Sequence, residues 1–406
     1  MRTWRTMAGI GMALVALVVV PEAVAADGEA VPRLFFQTAE GITAFDLQRG
    51  QAAYSAPSAR PSGDWSVLVS PTLSRGTPHV RVVNALDGSI VREFAVDEPL
   101  HPRVVSFRGD LVALSPHAPG SDGRQPGRAR TSLVVASTDG GSTRTYDLPG
   151  NVEPEAFSSD GRALFVIDYL PPLAPDRYQV RRLDLATGAV GPVVSPDGAT
   201  QGQMPGVART QVMAPDGSRL YTLYTSQTAT GAAYAFVHVL DLDEQWAHCV
   251  DLPRPFGEAP GAMGITIAPD GEDVYVADVA AGRIAAVPTG PLTVERVGRL
   301  SVRDHHRTPY LAADGSLVHV AAGRTLLSVH RGSLVLRNHA AVPSAVHGLV
   351  RPADAPLLYV ARRHAVDALD PATGVVTTTV TVELPHLAGV GSATPPVGGD
   401  TVKCAC

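Results

Sequence analysis

Residues 207–224 read VARTQVMAPDGSRLYTLY, and this stretch predicts the fold. Two apolar-alternating segments, Ala208–Met213 and Leu220–Tyr224, flank the turn sequence Pro-Asp-Gly. Glycine tolerates a positive φ and aspartate accepts hydrogen bonds from its own turn, so the pattern predicts two antiparallel strands joined by a tight turn. Two further segments of the same kind, Ala235–Leu240 and Ala247–Leu252, complete a four-stranded unit.

This unit recurs along the chain. The aspartate of its first turn is found again with spacings of 56, 54, 44 and 40 residues, at Asp160, Asp216, Asp270, Asp314 and Asp354. Short strands at such a period are typical of a β-propeller, in which neighbouring blades bury each other's faces. We therefore predict an all-β fold, a single β-propeller of four-stranded antiparallel blades.

The number of blades is predicted from the pairs of second and third strands. Eight such pairs begin near residues 34, 65, 111, 163, 219, 273, 316 and 357. Eight blades are favoured, and seven remain open because the first pair is short. In the second pair we expect a strand over Trp65–Ser70. The segment His386–Ser392 is expected to return as the innermost strand beside Leu34–Gln37 and so close the ring.

The two ends of the chain predict export. Arg2 and Arg5 precede an apolar run, and Ala23-Val24-Ala25 provides the small residues of a cleavage site, so residues 1–25 are predicted to be a signal peptide. An uncleaved anchor is the alternative. The propeller is expected over 33–395 and a flexible tail over 396–406. We expect a secreted protein, or one on the extracellular side of the membrane, with no membrane span in the mature chain.

Composition excludes one class of partner. The net charge is -6 and no basic face accumulates, which argues against nucleic acid. The chain has three cysteines, an odd number for an exported protein. Cys249 is predicted to be a buried apolar residue. A disulfide from Cys249 to Cys404 or Cys406 is the second interpretation.

The turn motifs resemble a known family. Pro269-Asp270-Gly271 followed by Tyr275-Val276, and Leu369-Asp370 followed by Thr373-Gly374, resemble the YVTN-type, WD40-like repeats of secreted prokaryotic propellers. The segments Tyr221–Tyr224, Phe236–Asp241 and Ala247–Pro253 look like those of uncharacterised actinobacterial exported propeller proteins. The resemblance implies a fold and no established chemistry.

Candidate site residues are sought on the innermost strands, where propellers bind ligands. The channel candidates are Glu155, Arg209, His306, His347 and His386, and other polar residues predicted there are His101, Arg103, Glu153 and His305. Histidines and carboxylates on one axis could bind a divalent metal such as calcium or zinc. No spaced ligand motif is present, so the expectation is no metal and no other cofactor.

Other chemistry has weaker support. His238 and His248 could meet Cys249 across a blade as a Cys/His pair, although these positions lie far from the channel. The loop Pro116–Arg130, with Arg124, Arg128 and Arg130, could contact an anionic partner or be a plain insertion. No nucleophile elbow or phosphate-binding loop occurs.

Two functions follow as hypotheses. The favoured one is a non-enzymatic exported scaffold that binds an envelope protein, peptide or glycan, because the fold pattern is intact and no catalytic motif is found. The alternative is a metal-dependent lactonase-like or lyase-like enzyme acting at the channel through His347, His386, His306 and Glu155. The catalytic residues of such an enzyme are unknown.

Overall fold

The computed structural model describes residues 19–20, 33–38, 41–116, 127–228, 231–304, 307–352 and 356–382. These residues form eight four-stranded antiparallel sheets arranged as a ring, which confirms the predicted β-propeller and decides for eight blades. The only helical element in the described chain is a single 3-10 turn, Pro260–Ala262. None of the described segments is a helix long and apolar enough to cross a membrane.

The strands follow one another in chain order, four to a blade. Blades I to IV contain β1 (Val19–Val20), β2 (Arg33–Thr38), β3 (Gly41–Asp46), β4 (Gln51–Pro57), β5 (Arg60–Pro61), β6 (Val67–Ser74), β7 (Thr77–Asn84), β8 (Ile90–Ala95), β9 (His101–Val105), β10 (Leu111–Ser115), β11 (Arg130–Ser137), β12 (Thr143–Pro149), β13 (Asn151–Phe157), β14 (Ala163–Leu170), β15 (Arg177–Asp184) and β16 (Val190–Pro192).

Blades V to VIII continue the same order. They contain β17 (Val207–Met213), β18 (Arg219–Gln227), β19 (Ala233–Asp241), β20 (Ala247–Asp251), β21 (Met263–Ile267), β22 (Asp273–Asp278), β23 (Arg283–Pro288), β24 (Arg296–Arg299), β25 (Tyr310–Ala313), β26 (Leu317–Ala322), β27 (Thr325–His330), β28 (Leu336–Ala341), β29 (Val346–Val350), β30 (Leu358–Arg362), β31 (Ala365–Leu369) and β32 (Val376–Thr381).

Four of the five predicted turns between first and second strands form as expected, at Asp160, Asp216, Asp270 and Asp314, and Asp354 lies outside the described residues. In blade V, Oδ1 of Asp216 accepts a hydrogen bond from the backbone N–H of Ser218 at 2.9 Å. Gly217 follows Asp216 with a φ of 77°, and Gly161 and Gly271 occupy the same position with φ values of 68° and 74°. Each turn therefore satisfies its own backbone groups and reverses the chain within a few residues.

The core lies between the blades rather than within one layer. Eight clusters of buried apolar side chains separate successive blades. The cluster between blades VIII and I includes Tyr359 and Ala361 on one side and Leu34 and Phe36 on the other. Because this last cluster joins the two ends of the described chain, apolar burial between blades VIII and I closes the ring.

The innermost strand of blade I differs from the expectation. We expected His386–Ser392 beside β2, and those residues lie outside the described chain. In the structure β1 pairs with β2, with Val19 opposite Leu34 and Val20 opposite Arg33. A β-branched apolar segment near β2 in sequence satisfies the hydrogen-bonding edge that β2 would otherwise expose. The strand β1 belongs to the segment predicted to be a signal peptide.

One strand begins later than predicted. The expected strand over Trp65–Ser70 starts at Val67, because Trp65 is part of the preceding turn. The N–H of Trp65 donates to the carbonyl of Ser62 at 3.1 Å, and the N–H of Ser62 donates to the carbonyl of Val67 at 2.9 Å. Trp65 in this turn lines a cavity of the central channel.

Candidate functional site

β-Bulges occur in the innermost strands of four blades. In β9, β13, β17 and β29 the pairing with the second strand skips one residue. The skipped residues are Arg103, Glu155, Arg209 and His347. A bulge bends the strand and re-aims the extra side chain, and bulges are frequent beside functional sites. Three of the predicted channel candidates therefore occupy a special backbone position that the sequence did not indicate.

Arg103 and Glu153 are engaged with each other. Nη2 of Arg103 lies 2.7 Å from Oε2 of Glu153, and Nη2 of Arg128 forms a second ion pair with Oε1 of the same carboxylate. Arg128 also donates to the carbonyl of Val152 at 3.2 Å. All three charged side chains are largely buried. Arg128 is therefore part of an internal ion-pair cluster and not an exposed contact residue of its loop.

The other two arginines of the loop Pro116–Arg130 do not join this buried cluster in the described chain. Arg130 pairs with Asp147 on the outer strand of blade III, with Nη2 2.6 Å from Oδ2, and both side chains are exposed. Arg124 lies outside the described residues. The loop has a structural role through Arg128, and its predicted contact with an anionic partner stays a prediction.

Glu155 lies beside an aromatic wall. Burial raises the pKa of Glu155 to about 7. The rings of Tyr178 and Tyr224 stack with centroids 5.3 Å apart, and burial, with a contribution from the Glu155 charge, raises the pKa of both hydroxyls. Desolvation disfavours the charged form of an acid, so Glu155 is partly protonated near neutral pH.

Arg209 and His347 face different surroundings. Nε of Arg209 donates to Oγ1 of Thr225 at 2.7 Å, and burial lowers the pKa of this guanidinium. The pKa of His347 is lowered by burial first and by the nearby charges of Arg307 and Arg363. His347 is therefore neutral at pH 7, the form in which an imidazole can accept a hydrogen bond.

The remaining candidates do not complete a site in the described chain. His305, His306 and His386 lie outside the described residues. His101 is half-buried at the start of β9, opposite Ser115. Within the part of the chain that the structure describes, no three His, Cys, Asp or Glu residues converge as metal ligands.

A cavity occupies one mouth of the central channel. Its volume is 490 Å³, and it lies where the innermost strands of blades V to VIII end. The lining is largely apolar or hydroxylated, and includes Thr210, Ile265, Thr266, Tyr310, Leu311 and Arg351. Trp65 of blade II contributes to the lining from the opposite part of the ring. A cavity of this size and lining is typical of ligand sites.

Trp65 has an unusual backbone. It follows Asp64 at the turn position that Gly161, Gly217 and Gly271 occupy in other blades, and its φ is 57°. A bulky residue is rare in this left-handed region. Asp64 holds the turn, because its Oδ1 accepts from the N–H of Ser66 at 3.0 Å. Local strain kept by its surroundings is a feature of ligand sites.

Phe107 joins three turns at the same mouth. A methyl group built on Gly217 of blade V would lie 2.4 Å from Cγ of Phe107, and one built on Gly63 of blade II would lie 2.6 Å from Cδ2. The carbonyl of Phe107 accepts from the N–H of Asp64 at 2.9 Å. Phe107 therefore packs between blades II and V and supports the turn that carries Trp65.

The Cys/His pair considered from the sequence is not a nucleophilic site. His238 lies opposite Cys249 in the β19–β20 pairing. The side-chain amide of Gln201 donates to Nε2 of His238 at 2.8 Å, and burial, then the charge of His248, lowers the pKa of His238 to about 4. Cys249 is disulfide-bonded and so has no thiol. Its partner lies outside the described residues, and the pairing with Cys404 or Cys406 stays a prediction.

The geometry defines the chain as an eight-bladed β-propeller with a cavity at one channel mouth. No protein-family model matches the sequence, and no curated protein matches it. Solved structures with similar folds include dihydro-heme d1 dehydrogenase NirN in complex with DHE, at 12% identity over 82% of this chain and 67% of that chain, with a TM-score of 0.48.

Two further structures are similar at the same level. BamB from Moraxella catarrhalis is 15% identical over 80% of this chain and 87% of its own, with a TM-score of 0.45. Apo AztD from Citrobacter koseri is 13% identical over 78% of this chain and 97% of its own, with a TM-score of 0.41. Identities this low concern the fold and carry no function.

Proposed function

We propose that this chain is an exported binding protein that holds part of an envelope protein, peptide or glycan at the channel mouth. The observation that carries the proposal is the cavity lined by Trp65 and by the innermost strands of blades V to VIII. It combines an aromatic surface, aliphatic walls and hydroxyl groups, which together support burial of an apolar segment with a few directed hydrogen bonds.

The charged groups near the cavity favour binding over proton transfer. Nε of Arg351 lies 3.5 Å from Oδ2 of Asp314, so this lining arginine already has a counter-charge. Burial raises the pKa of Tyr310 and keeps its hydroxyl protonated at neutral pH. The lining therefore offers fixed donors and an apolar surface, and it does not pair an acid with a base.

The proposal is tested by photo-crosslinking in the living host. A photoreactive phenylalanine is placed at position 311, in the cavity, and separately at position 376, on the outer strand β32. We expect one defined adduct from position 311, its loss in a Trp65→Ala background, and no such adduct from position 376. The same adducts from both positions, or none from position 311, contradict a binding site at this mouth.

Export is tested separately. N-terminal sequencing of the protein recovered outside the cytoplasm is expected to begin after Ala25 or Ala26. Recovery of the chain only from the cytoplasm, with Met1 or Arg2 at its start, contradicts export and leaves the binding site untouched.

A further inference from the structure

Arginines from blade II, blade III and a loop gather around one carboxylate. Arg60 lies on β5, Arg103 on β9 and Arg128 just before β11, and Glu153 lies on β13. Arg103 and Arg128 contact the two oxygens of Glu153 separately. The charge of Arg103 also acts on Arg60. Two guanidiniums therefore contact one carboxylate, and Arg60 lies on β5, which packs against the strand of Arg103.

These groups are buried and their donors are not all used. The side chain of Arg128 is 9% exposed and that of Arg103 is 11% exposed. Nε and Nη1 of Arg128 and Nη1 of Arg103 are buried without a hydrogen-bond partner. A guanidinium carries five N–H donors, and leaving buried donors unpaired is destabilising. Unpaired donors of this kind call for an additional acceptor, such as a bound ion or water.

Arg60 adds to the excess of positive charge. Burial lowers the pKa of Arg60, and the neighbouring charge of Arg103 lowers it further. Within the described chain, no hydrogen bond or ion pair joins the Arg60 guanidinium to an acceptor. The Arg60 side chain is half-buried on β5, which packs against β9, so its positive charge near that of Arg103 favours an anionic ligand between them.

We propose that Arg60, Arg103 and Arg128 form a binding site for an oxyanion, the phosphate or carboxylate group of a small ligand. Glu153 holds two of the guanidiniums in place before the ligand arrives. Arginine suits this role because its planar fork binds the oxygens of a carboxylate or phosphate in pairs.

The bulge at Arg103 gives this residue a special position in the site. Arg103 is the residue that the β9–β10 pairing skips. A bulge turns its side chain away from the regular alternation of the strand. The site lies on blades II to IV, whereas the mouth cavity is formed by blades V to VIII and Trp65. The oxyanion site is thus independent of the proposed partner binding.

The test measures how oxyanions change the thermal stability of the full mature protein. Melting temperatures are recorded with inorganic phosphate and with acetate, each against sodium chloride at the same ionic strength. We expect a saturable rise with at least one oxyanion, because a ligand that binds only the folded state stabilises it. A larger rise with phosphate assigns the phosphate class, and a larger rise with acetate assigns the carboxylate class.

Arg60→Gln is the decisive variant, because Arg60 has no ion pair in the described chain to lose on folding. We expect it to weaken the apparent oxyanion affinity by about tenfold, the effect of one charged hydrogen bond. Its melting temperature without ligand should equal or exceed that of the parent, since repulsion with Arg103 is relieved.

Arg130→Gln is the matched control, since Arg130 lies in an exposed pair with Asp147. It should leave the oxyanion response unchanged. The proposal is overturned if neither oxyanion exceeds chloride. It is equally overturned if Arg60→Gln keeps the full response, since the oxyanion would then bind at a place that does not involve Arg60.

Discussion

The indole of Trp65 packs against the ring of Phe35, with centroids 5.3 Å apart and planes inclined by 42°. Phe35 is fully buried on β2, while Trp65 lines the cavity on a left-handed backbone. The contact holds an aromatic side chain at the channel mouth in a turn whose counterparts use glycine. Trp65 therefore combines a strained backbone conformation with a place in the lining of the proposed binding site.

Substitutions at Trp65 should reveal this strain. Both Trp65→Ala and Trp65→Gly remove the indole, but only glycine tolerates the φ of 57°. We expect the glycine variant to be more stable than the alanine variant by about 1 kcal/mol, measured by chemical denaturation. At Trp246, which has no positive φ, the order should reverse. Alanine more stable than glycine at both positions would contradict the strained turn.

Gly217 should be intolerant of any side chain. Gly217 and Gly76 have φ values of 77° and 83°, yet only Gly217 faces Phe107, while nothing lies within 4 Å of a methyl group on Gly76. We expect Gly76→Ala to destabilise the fold by about 1 kcal/mol. Gly217→Ala should cost about 2 kcal/mol more, because the ring must move. Denaturation midpoints measure the stability of both variants. Equal losses of stability would show that the Phe107 ring moves aside without cost.

Arg331 should stabilise the contact between blades VI and VII. Its Nη1 and Nη2 lie 2.7 and 3.0 Å from the two oxygens of Asp270, and its Nε donates to Tyr275 at 3.2 Å. Since the Arg331 side chain is buried and Asp270 is partly exposed, we expect Arg331→Ala to cost about 2 kcal/mol of unfolding free energy.

The exposed pair of Arg130 and Asp147 provides the comparison. Arg130→Ala should change the unfolding free energy by less than about 0.5 kcal/mol, as is usual for exposed ion pairs. Similar losses of unfolding free energy in Arg130→Ala and Arg331→Ala would mean that the Arg331 contact stabilises the protein no more than an exposed ion pair.

Glu155 should make stability depend on pH. Its pKa rises on folding from 4.5 to about 7, so the folded state holds the proton more tightly. The associated stability is complete below pH 4.5 and is lost as the pH rises through 7, a change of about 3 kcal/mol. Glu155→Gln should remove this slope in unfolding experiments, while the exposed Glu295→Gln should keep it. An unchanged slope in Glu155→Gln would contradict the buried acid.

Local patterns were sufficient for most of the fold. The alternation in Leu220–Tyr224 and the Asp216 turn lie within a few residues of each other, so each strand pair could be predicted without knowledge of the rest. The second blade shows the limit of this method. Its turn keeps Asp64 but has Trp65 where glycine was expected, and the prediction therefore placed Trp65 in a strand.

The candidate site was predicted only in part. Glu155, Arg209 and His347 lie on innermost strands as the repeat predicts, but none of them lines the cavity, and their role as site residues stays a prediction. Their bulges depend on how one strand pairs with the next, which a single strand's sequence does not show. The importance of Arg60 and Arg128 was missed, since nothing near either residue in the chain marks it as part of a site.

Local sequence patterns predict the all-β class, the four-stranded unit and the positions of most turns, since alternation and turn chemistry act over a few residues. Only the folded ring shows the closure of eight blades, the cavity lined by Trp65, and the ion pairs of Arg103 and Arg128 with Glu153. Buried charge and cavity shape depend on contacts between blades, because residues distant in the chain make those contacts only when the ring has closed.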